Sequence, residues 1–222
     1  RSEDGLWTPF SSLPVVLIYN TRLLAPEQLT GWQDLFRPEL RGRIAFADPG
    51  VSGSSFTGLV TMLHALGGDR EDAVRRFAGA LDGRQLEGSG DVLTAVSGGG
   101  CWAGITLEET ALKRVDAGDS IALVYPKEGT SLVPDGSALV RNAPHPDNAR
   151  TFLDFTVCYD AQCLLAGQHR RPVRAGVPAA DGLPSLSDLA LLDYDAEQAG
   201  RERESLLMTW AFYLDSREED QP

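Results

Sequence analysis

The residue types with the clearest capacity for chemistry lie in a short loop, Ser52-Gly53-Ser54-Ser55. The loop follows the apolar run RIAFA and an Asp-Pro pair, and it leads into the apolar periodic segment FTGLVTMLHAL. This order predicts a strand, a loop and the start of a helix. There, backbone N–H groups without an intrahelical partner meet the positive end of the helix dipole, which favours anions. The loop therefore predicts either an anion site or only a capped turn, because Ser and Gly also cap helices.

Two further loops share this character, one at residues 88–91 and one at residues 106–109. Each leaves a predicted extended segment and enters a predicted helix, and ligands of open α/β sheets lie beyond the carboxyl ends of strands. Asn20, at the end of the strand predicted over residues 14–19, can donate and accept, or it can cap the following turn. The predicted ligand-binding residues are Ser52, Gly53, Ser54, Ser55, Ser89, Gly90, Thr106 and Asn20.

Other chemistries fit these residues less well. A Walker-type phosphate loop needs a lysine after its glycines, and none follows here. VSGSS is not the G-x-S-x-G elbow of a serine hydrolase, and His64 is expected to pack within its helix instead of serving as a base. Acidic residues such as Asp91, Glu108 and Glu109 commonly complement the dipole in the first turn of a helix. We predict no catalytic residue, no cofactor and no metal site.

Composition limits the function classes. The chain has 222 residues, 42% hydrophobic and 23% charged, which suits one large or two small globular domains. The formal charge of −12, without a basic stripe, argues against nucleic acid as a partner. Cys158 and Cys163 predict either a local disulfide, with Cys101 left over, or three buried free thiols. Because the chain opens RSEDGLW, we expect its beginning to be cut, so the missing signal peptide does not indicate a compartment.

The elements that must position these loops alternate between strands and helices. This alternation predicts an α/β fold with a largely parallel sheet. Asp69 is predicted to cap a helix over residues 70–81, and the Gly67-Gly68 pair to end the preceding one. The segment GTSLVPDGSALV predicts two strands that turn at Pro134-Asp135-Gly136. Helices are predicted further on, at residues 146–157, 160–166 and 195–213.

Several phrases occur in a familiar order: LIYNTRLL, then W-x-D-L-F-R-P-E-L-R-G-R-I-A-F-A-D-P, SGSSFT, WAGITLEETALKR and RRPVRAGVPAADGLPSL. In this order they resemble the bacterial extracellular solute-binding proteins of ABC importers. Within these solute-binding proteins, the resemblance is to the group that contains the ferric-ion, phosphonate and sugar-phosphate binders. The resemblance runs over residues 7–210, nearly the whole chain.

The resemblance implies a type II periplasmic-binding fold, with two α/β lobes that close on ligand like a hinge. Such proteins usually carry about a hundred residues before the point where this chain starts. We therefore expect an N-terminally truncated chain: a first crossing strand (1–20), lobe two with the anion-type loops (21–125), and a second crossing, return strands and C-terminal helices (126–222). Such a chain is expected to expose an apolar face and to dimerise.

The implied function is non-enzymatic capture of a small anionic solute, such as a phosphonate, phosphate ester or carboxylate, for a membrane permease. The implied location is periplasmic or extracellular, with a lipid anchor allowed. Arg171 and Arg174 are candidates for a cationic contribution, with surface ion pairs as the alternative. A sensing or interaction module and a ferric-ion binder are the other functions considered. The family's ferric binders carry adjacent tyrosines near the turn that matches CWAGITLEET, and this segment contains no tyrosine.

Overall fold

Backbone pairing in the computed structural model, which describes residues 5–215, is organised around one long strand, β1 (Trp7–Asn20). Its apolar run is buried on both faces, since Val15, Val16, Leu17 and Ile18 are all fully buried. The other strands are β2 (Ile44–Ala45), β3 (Ala103–Leu107), β4 (Ile121–Val124), β5 (Thr130–Ala138), β6 (Arg171–Pro172) and β7 (Leu191–Leu192).

The predicted α/β class is confirmed, but the largely parallel sheet is wrong. Strand β1 pairs antiparallel with β3, β4, β5 and β6, and the parallel pairs are β2 with β3 and β5 with β7. Alternation of strands and helices predicts parallel neighbours only within each strand–helix–strand unit. The long strand β1 lies between β3 and β4 in the opposite direction, and no local pattern specifies that direction.

Seven helices are found among residues 5–215, close to the predicted bounds. Asp69 accepts hydrogen bonds from the N–H groups of Glu71 and Asp72, at 2.9 and 3.3 Å, and so caps its helix as predicted. Gly67, with φ of 62°, ends the preceding helix as predicted. The helices are α1 (Gly53–Leu66), α2 (Arg70–Leu81), α3 (Ser89–Ser97), α4 (Glu108–Asp116), α5 (Pro146–Thr156), α6 (Tyr159–Ala166) and α7 (Ala196–Asp215). Short 3₁₀ turns cover Pro26–Gln28, Trp32–Phe36, Pro38–Leu40 and Leu186–Asp188.

The turn predicted at Pro134-Asp135-Gly136 is absent, and β5 runs straight through these residues. Pro134 pairs with Ser12 of β1, and the Asp135 carboxylate accepts from the Ser11 hydroxyl at 2.7 Å. A Cβ atom on Gly136 would collide with the indole ring of Trp7. Gly136 is therefore explained by its close contact with an aromatic ring, and these residues pair with the neighbouring strand β1 instead of forming a turn.

The chain forms two compact units. One contains the chain up to Pro14 together with Leu132–Asp188, and the other contains Val15–Ser131 and the chain from Leu189 onward. The crossings therefore fall after residues 14, 131 and 188, whereas the sequence placed divisions after residues 20 and 125. In the first unit α5 has no buried residue, and Phe152 and Phe155 are 61% and 52% exposed.

In the second unit, β1 and β3 separate two apolar layers. One layer includes Phe46, Phe77 and Trp210 and packs beneath α1, α2 and α7. The other includes Val92 and Val96 of α3. No helix among residues 5–215 combines the length and apolar character that a membrane span requires.

All three cysteines are free thiols, and only Cys101 is buried. Cys158 is the N-cap of α6, and its sulfur lies 3.5 Å from the N–H of Ala161. Cys163 is five residues further along the helix, so its Cα is about 7.5 Å away along the axis alone. That separation exceeds the reach of a disulfide, which requires Cα atoms within about 7 Å.

Candidate functional site

Three segments of the second unit end at one edge of its sheet. Strand β2 is parallel to β3, with Ile44 opposite Ala103, and Ala47 forms a parallel bridge with Leu86. The carboxyl ends of these three segments are therefore neighbours, in the order Leu86, β2, β3. The helix starts at Ser52 and Ser89 follow two of these ends, and Thr106 lies within β3, one residue before its end, so the structure brings the three predicted segments to a common edge.

Ser52 is a genuine helix cap. Its backbone is extended, with φ −96° and ψ 114°, and its hydroxyl accepts from the N–H of Ser55 at 3.2 Å. The preceding turn is held by Asp48, whose carboxylate accepts from the N–H of Gly50 at 2.7 Å and whose carbonyl accepts from the N–H of Ser52 at 2.7 Å. Ser52 thus performs the capping role that the sequence offered as the alternative to ligand binding.

Gly53 and Ser54 hold the first two positions of α1, and within residues 5–215 their N–H groups have no hydrogen-bond partner. Gly53 is exposed, and a Cβ atom there would have no atom within 4 Å. The Ser54 hydroxyl lies 3.1 Å from that of Ser52. The positive end of α1 therefore carries two backbone donors without a partner among residues 5–215, one of them on an exposed residue, beside the Ser54 hydroxyl. Ser55 is buried, and its N–H is already used by Ser52.

The other two helix starts at this edge carry their own carboxylates. In α3, the Asp91 side chain accepts from the N–H of Gly88 at 3.1 Å, beside the exposed Ser89 and Gly90. In α4, Glu108 and Glu109 are buried in the first turn. The first turn of α1 contains no acidic residue, so of these three helix starts it offers the least repulsion to an anion.

The buried residues near α4 are tightly bonded. The Tyr125 hydroxyl donates to the Glu108 carboxylate, and Glu109 pairs with Lys113 at 2.5 Å. Thr106 is 7% exposed and lies in β3 opposite Val16. These contacts leave the α4 start less accessible than the α1 start.

The side chain of Asn20 is fully engaged inside the unit. Its Nδ2 donates to the carbonyls of Val96 and Ser97, at 2.7 and 3.4 Å, and its Oδ1 accepts from the N–H of Arg22 at 2.9 Å. The residue is 2% exposed. These bonds hold the end of α3 and the turn after β1, which is the capping role considered for Asn20.

We expect Asn20→Ala to lower the free energy of unfolding by about 1–3 kcal/mol, because the carbonyl of Val96 keeps only the N–H of Gly99 as a donor and the N–H of Arg22 loses its acceptor. Urea denaturation checks this value. Affinity for an anion should change less than about twofold, since a positioning role adds little binding energy. A large loss of affinity without loss of stability would instead place Asn20 in direct contact with ligand.

Arg203 of α7 is a residue that sequence reasoning missed. Its guanidinium Nη2 donates to the carbonyls of Gly50 and Pro49, at 3.1 and 3.4 Å, and lies over the ring of Phe56. Within residues 5–215 no carboxylate lies within ion-pair distance of it. The sequence held no local signal, since Arg203 is 153 residues from Gly50 and only the docking of α7 brings them together.

The two arginines that the sequence analysis named as candidates for a cationic contribution, Arg171 and Arg174, belong to the first unit. Arg171 is 2% exposed and donates to the carbonyl of Pro184 at 2.9 Å. Arg174 donates to the carbonyl of Val157 at 3.0 Å. Both therefore have observed contacts with backbone carbonyls that stabilise nearby loops.

A cavity of about 310 Å³ lies at the other end of α1, next to His64, Tyr194 and Glu202. His64 is exposed there, so the prediction that it packs within the helix is wrong. Burial raises the pKa of the Tyr194 hydroxyl, and a hydrogen bond with the Thr57 side chain opposes that shift. Tyr194 is therefore a neutral phenol at physiological pH. Within residues 5–215 no group of three His, Cys, Asp or Glu side chains is arranged to hold a metal ion.

Residues 1–198 match the family model of the bacterial extracellular solute-binding proteins. The chain belongs to this family. Iron uptake protein A1 of Synechocystis sp. is 27% identical over an alignment of 203 residues that covers 85% of this chain and 56% of that protein. The chain spans about half the length of the curated relatives it matches.

Solved structures of related proteins confirm the type II periplasmic-binding fold. The periplasmic binding protein AfuA from Actinobacillus pleuropneumoniae, with exogenous fructose-6-phosphate bound, has a TM-score of 0.84 and 24% identity. The match covers 95% of this chain and 69% of AfuA. A protein described as a two-component system protein that mediates signal transduction has a TM-score of 0.82 and 25% identity, with 92% and 70% covered.

Proposed function

We propose that this chain is part of the solute-binding component of a bacterial ABC importer, acting outside the cytoplasm and delivering its solute to a membrane permease. Membership of the extracellular solute-binding family carries this proposal. The role is capture without turnover, in keeping with a family of binding proteins. Capture by hinge closure, which the family resemblance implies, is part of this proposal.

The ligand we propose is a small anion: a phosphonate, a phosphate ester or a carboxylate. The N–H groups of Gly53 and Ser54 would donate to it, and the absence of an acid in the first turn of α1 supports this choice. Ser89, Gly90 and Thr106 lie at the same edge and complete the proposed contact set. The protein's charge of −12 makes such a local donor site necessary, because the overall field repels anions.

Calorimetry on the full-length protein tests this proposal. The panel contains fructose-6-phosphate, a phosphonate, inorganic phosphate, citrate, ferric citrate and a neutral sugar. We expect tight binding of at least one phosphate-bearing or carboxylate ligand. Binding of the neutral sugar or of iron alone, with no anion bound, would overturn the anion assignment.

Ferric iron is the second candidate, because a relative is named as an iron uptake protein. Hard Fe(III) prefers phenolate and carboxylate ligands. The tyrosines of this chain are scattered, and none is adjacent to another: Tyr19, Tyr125, Tyr159, Tyr194 and Tyr213. Ferric citrate binding that citrate alone does not reproduce would favour this candidate.

A sensing module is the third candidate, supported by the solved structure described as a two-component system protein. The polypeptide context separates it from a transporter subunit. A transmembrane helix joined to a kinase or cyclase domain in the full reading frame would favour sensing. Dimerisation of the isolated chain stays a prediction, for which Phe152 and Phe155 supply exposed apolar surface.

A further inference from the structure

The three crossings meet at two residues of the second unit. Thr130 and Ser131 are the first two residues of β5 and the last residues of the second unit before the chain enters the first unit. They pair in parallel with Leu191 and Leu192 of β7, which follows the third crossing. The Thr130 hydroxyl donates to the carbonyl of Val15, the first residue after the first crossing, at 2.5 Å. We name Val15, Thr130, Ser131 and Leu191 the crossing node.

Helix α1 contacts this node through one polar side chain. Thr61 Oγ1 lies 2.8 Å from Ser131 Oγ and 2.7 Å from the carbonyl oxygen of Thr57. Thr61 and Ser131 are both fully buried. Thr61 Oγ1 is the donor in both contacts, so its single proton is shared between the Thr57 carbonyl and the Ser131 hydroxyl.

The hydroxyl pair of Thr61 and Ser131 lies among apolar residues, so it is the contact that fixes how α1 sits on the node. Leu59, Met62 and Leu63 of the same helix belong to the apolar core. A Cβ atom on Gly58 would lie 2.9 Å from Ile105 of β3, so α1 packs closely on the sheet. Apolar packing tolerates small sliding movements, whereas a buried hydroxyl pair has one favourable geometry.

We propose that the Thr61–Ser131 hydroxyl pair is a positioning device that ties the ligand-binding helix to the crossing node. Gly53, at the proposed anion site, is eight residues before Thr61 on the same helix, about 12 Å along its axis. Ligand binding at the start of α1 is thereby coupled to the strands through which the units are connected. The coupling to ligand rests on the proposed function, whereas the restraint on the units does not.

The test measures the distance between the units in the protein without ligand. Spin labels are placed on the exposed Cys163 of the first unit and on Glu204→Cys of the second, in a Cys158→Ser background that keeps the α6 cap. Thr61→Val removes the hydroxyl and keeps the side-chain shape. We expect the width of the distance distribution to increase about twofold, because the node then samples more arrangements. Thr61→Ser should restore the original width.

Thr209→Val is the matched control. Its hydroxyl also bonds a carbonyl four residues earlier, that of Ser205 at 3.0 Å, but among residues 5–215 it has no hydrogen-bond partner in another element. An unchanged width in Thr61→Val would overturn the proposal, even if thermal unfolding showed a loss of stability. Calorimetry with fructose-6-phosphate measures the coupling between ligand binding at the start of α1 and the crossing node. We expect Thr61→Val to lower the affinity about fivefold. If no variant binds any anion, the proposed function fails while the distance result still decides the positioning role.

Discussion

Gly53→Pro should weaken anion binding by about 10- to 100-fold, which corresponds to losing one hydrogen bond to a charged group. Proline removes the N–H of the first helical position and leaves the helix intact, since that position tolerates proline. Ser52 already has the extended backbone that a residue before proline requires. The substitution therefore deletes one donor with little structural change, and calorimetry with the best-binding anion of the panel measures the loss.

Gly53→Ala is the matched control. Alanine keeps the N–H, and its Cβ would project into open space. We expect affinity within about twofold of the original, because no contact is gained or lost. Equal affinities for the proline and alanine variants would place the anion away from the start of α1. Circular dichroism and thermal unfolding of both variants confirm that the fold is retained.

Trp210→Ala should lower the free energy of unfolding by about 3–5 kcal/mol, the usual cost of truncating a buried aromatic side chain. Trp210 is 2% exposed, and its ring centroid lies 5.5 Å from that of Phe46 and 5.7 Å from that of Phe77. Its Nε1 donates to the Gln85 side chain at 2.7 Å. The substitution removes both the packing and the hydrogen bond that dock α7, and urea denaturation measures the loss.

Met208→Ala, on the same helix, provides the comparison. Met208 is 63% exposed, so its truncation should cost less than about 0.5 kcal/mol. If the two variants lost equal stability, α7 would not be held by its buried ring. Trp210→Ala should also reduce anion affinity modestly, because Arg203 contacts the loop before Ser52 only while α7 is docked.

Local features of the sequence predicted the helices well. Asp69 and the Gly67-Gly68 pair mark boundaries that the structure reproduces, because capping depends on groups only a few residues apart. The reading of Pro134-Asp135-Gly136 as a turn was wrong for the opposite reason. There a distant strand supplies pairing partners, and a distant indole ring explains the glycine.

The serine–glycine loop could be located from the sequence, since small residues between a strand and an apolar helix are a local pattern. Which of its groups are free required the structure. Ser52 and Ser55 satisfy each other, whereas the N–H groups of Gly53 and Ser54 have no partner within residues 5–215.

By itself, the sequence determined that strands alternate with helices, where the helices start and that small polar residues follow the strands, because these properties depend on neighbours along the chain. Only the tertiary structure decided that β1 runs against β3, that Arg203 lies against the loop before Ser52 and that Thr61 meets Ser131. Such contacts join residues tens to more than a hundred positions apart. They follow from how the apolar layers pack, and no local pattern encodes them.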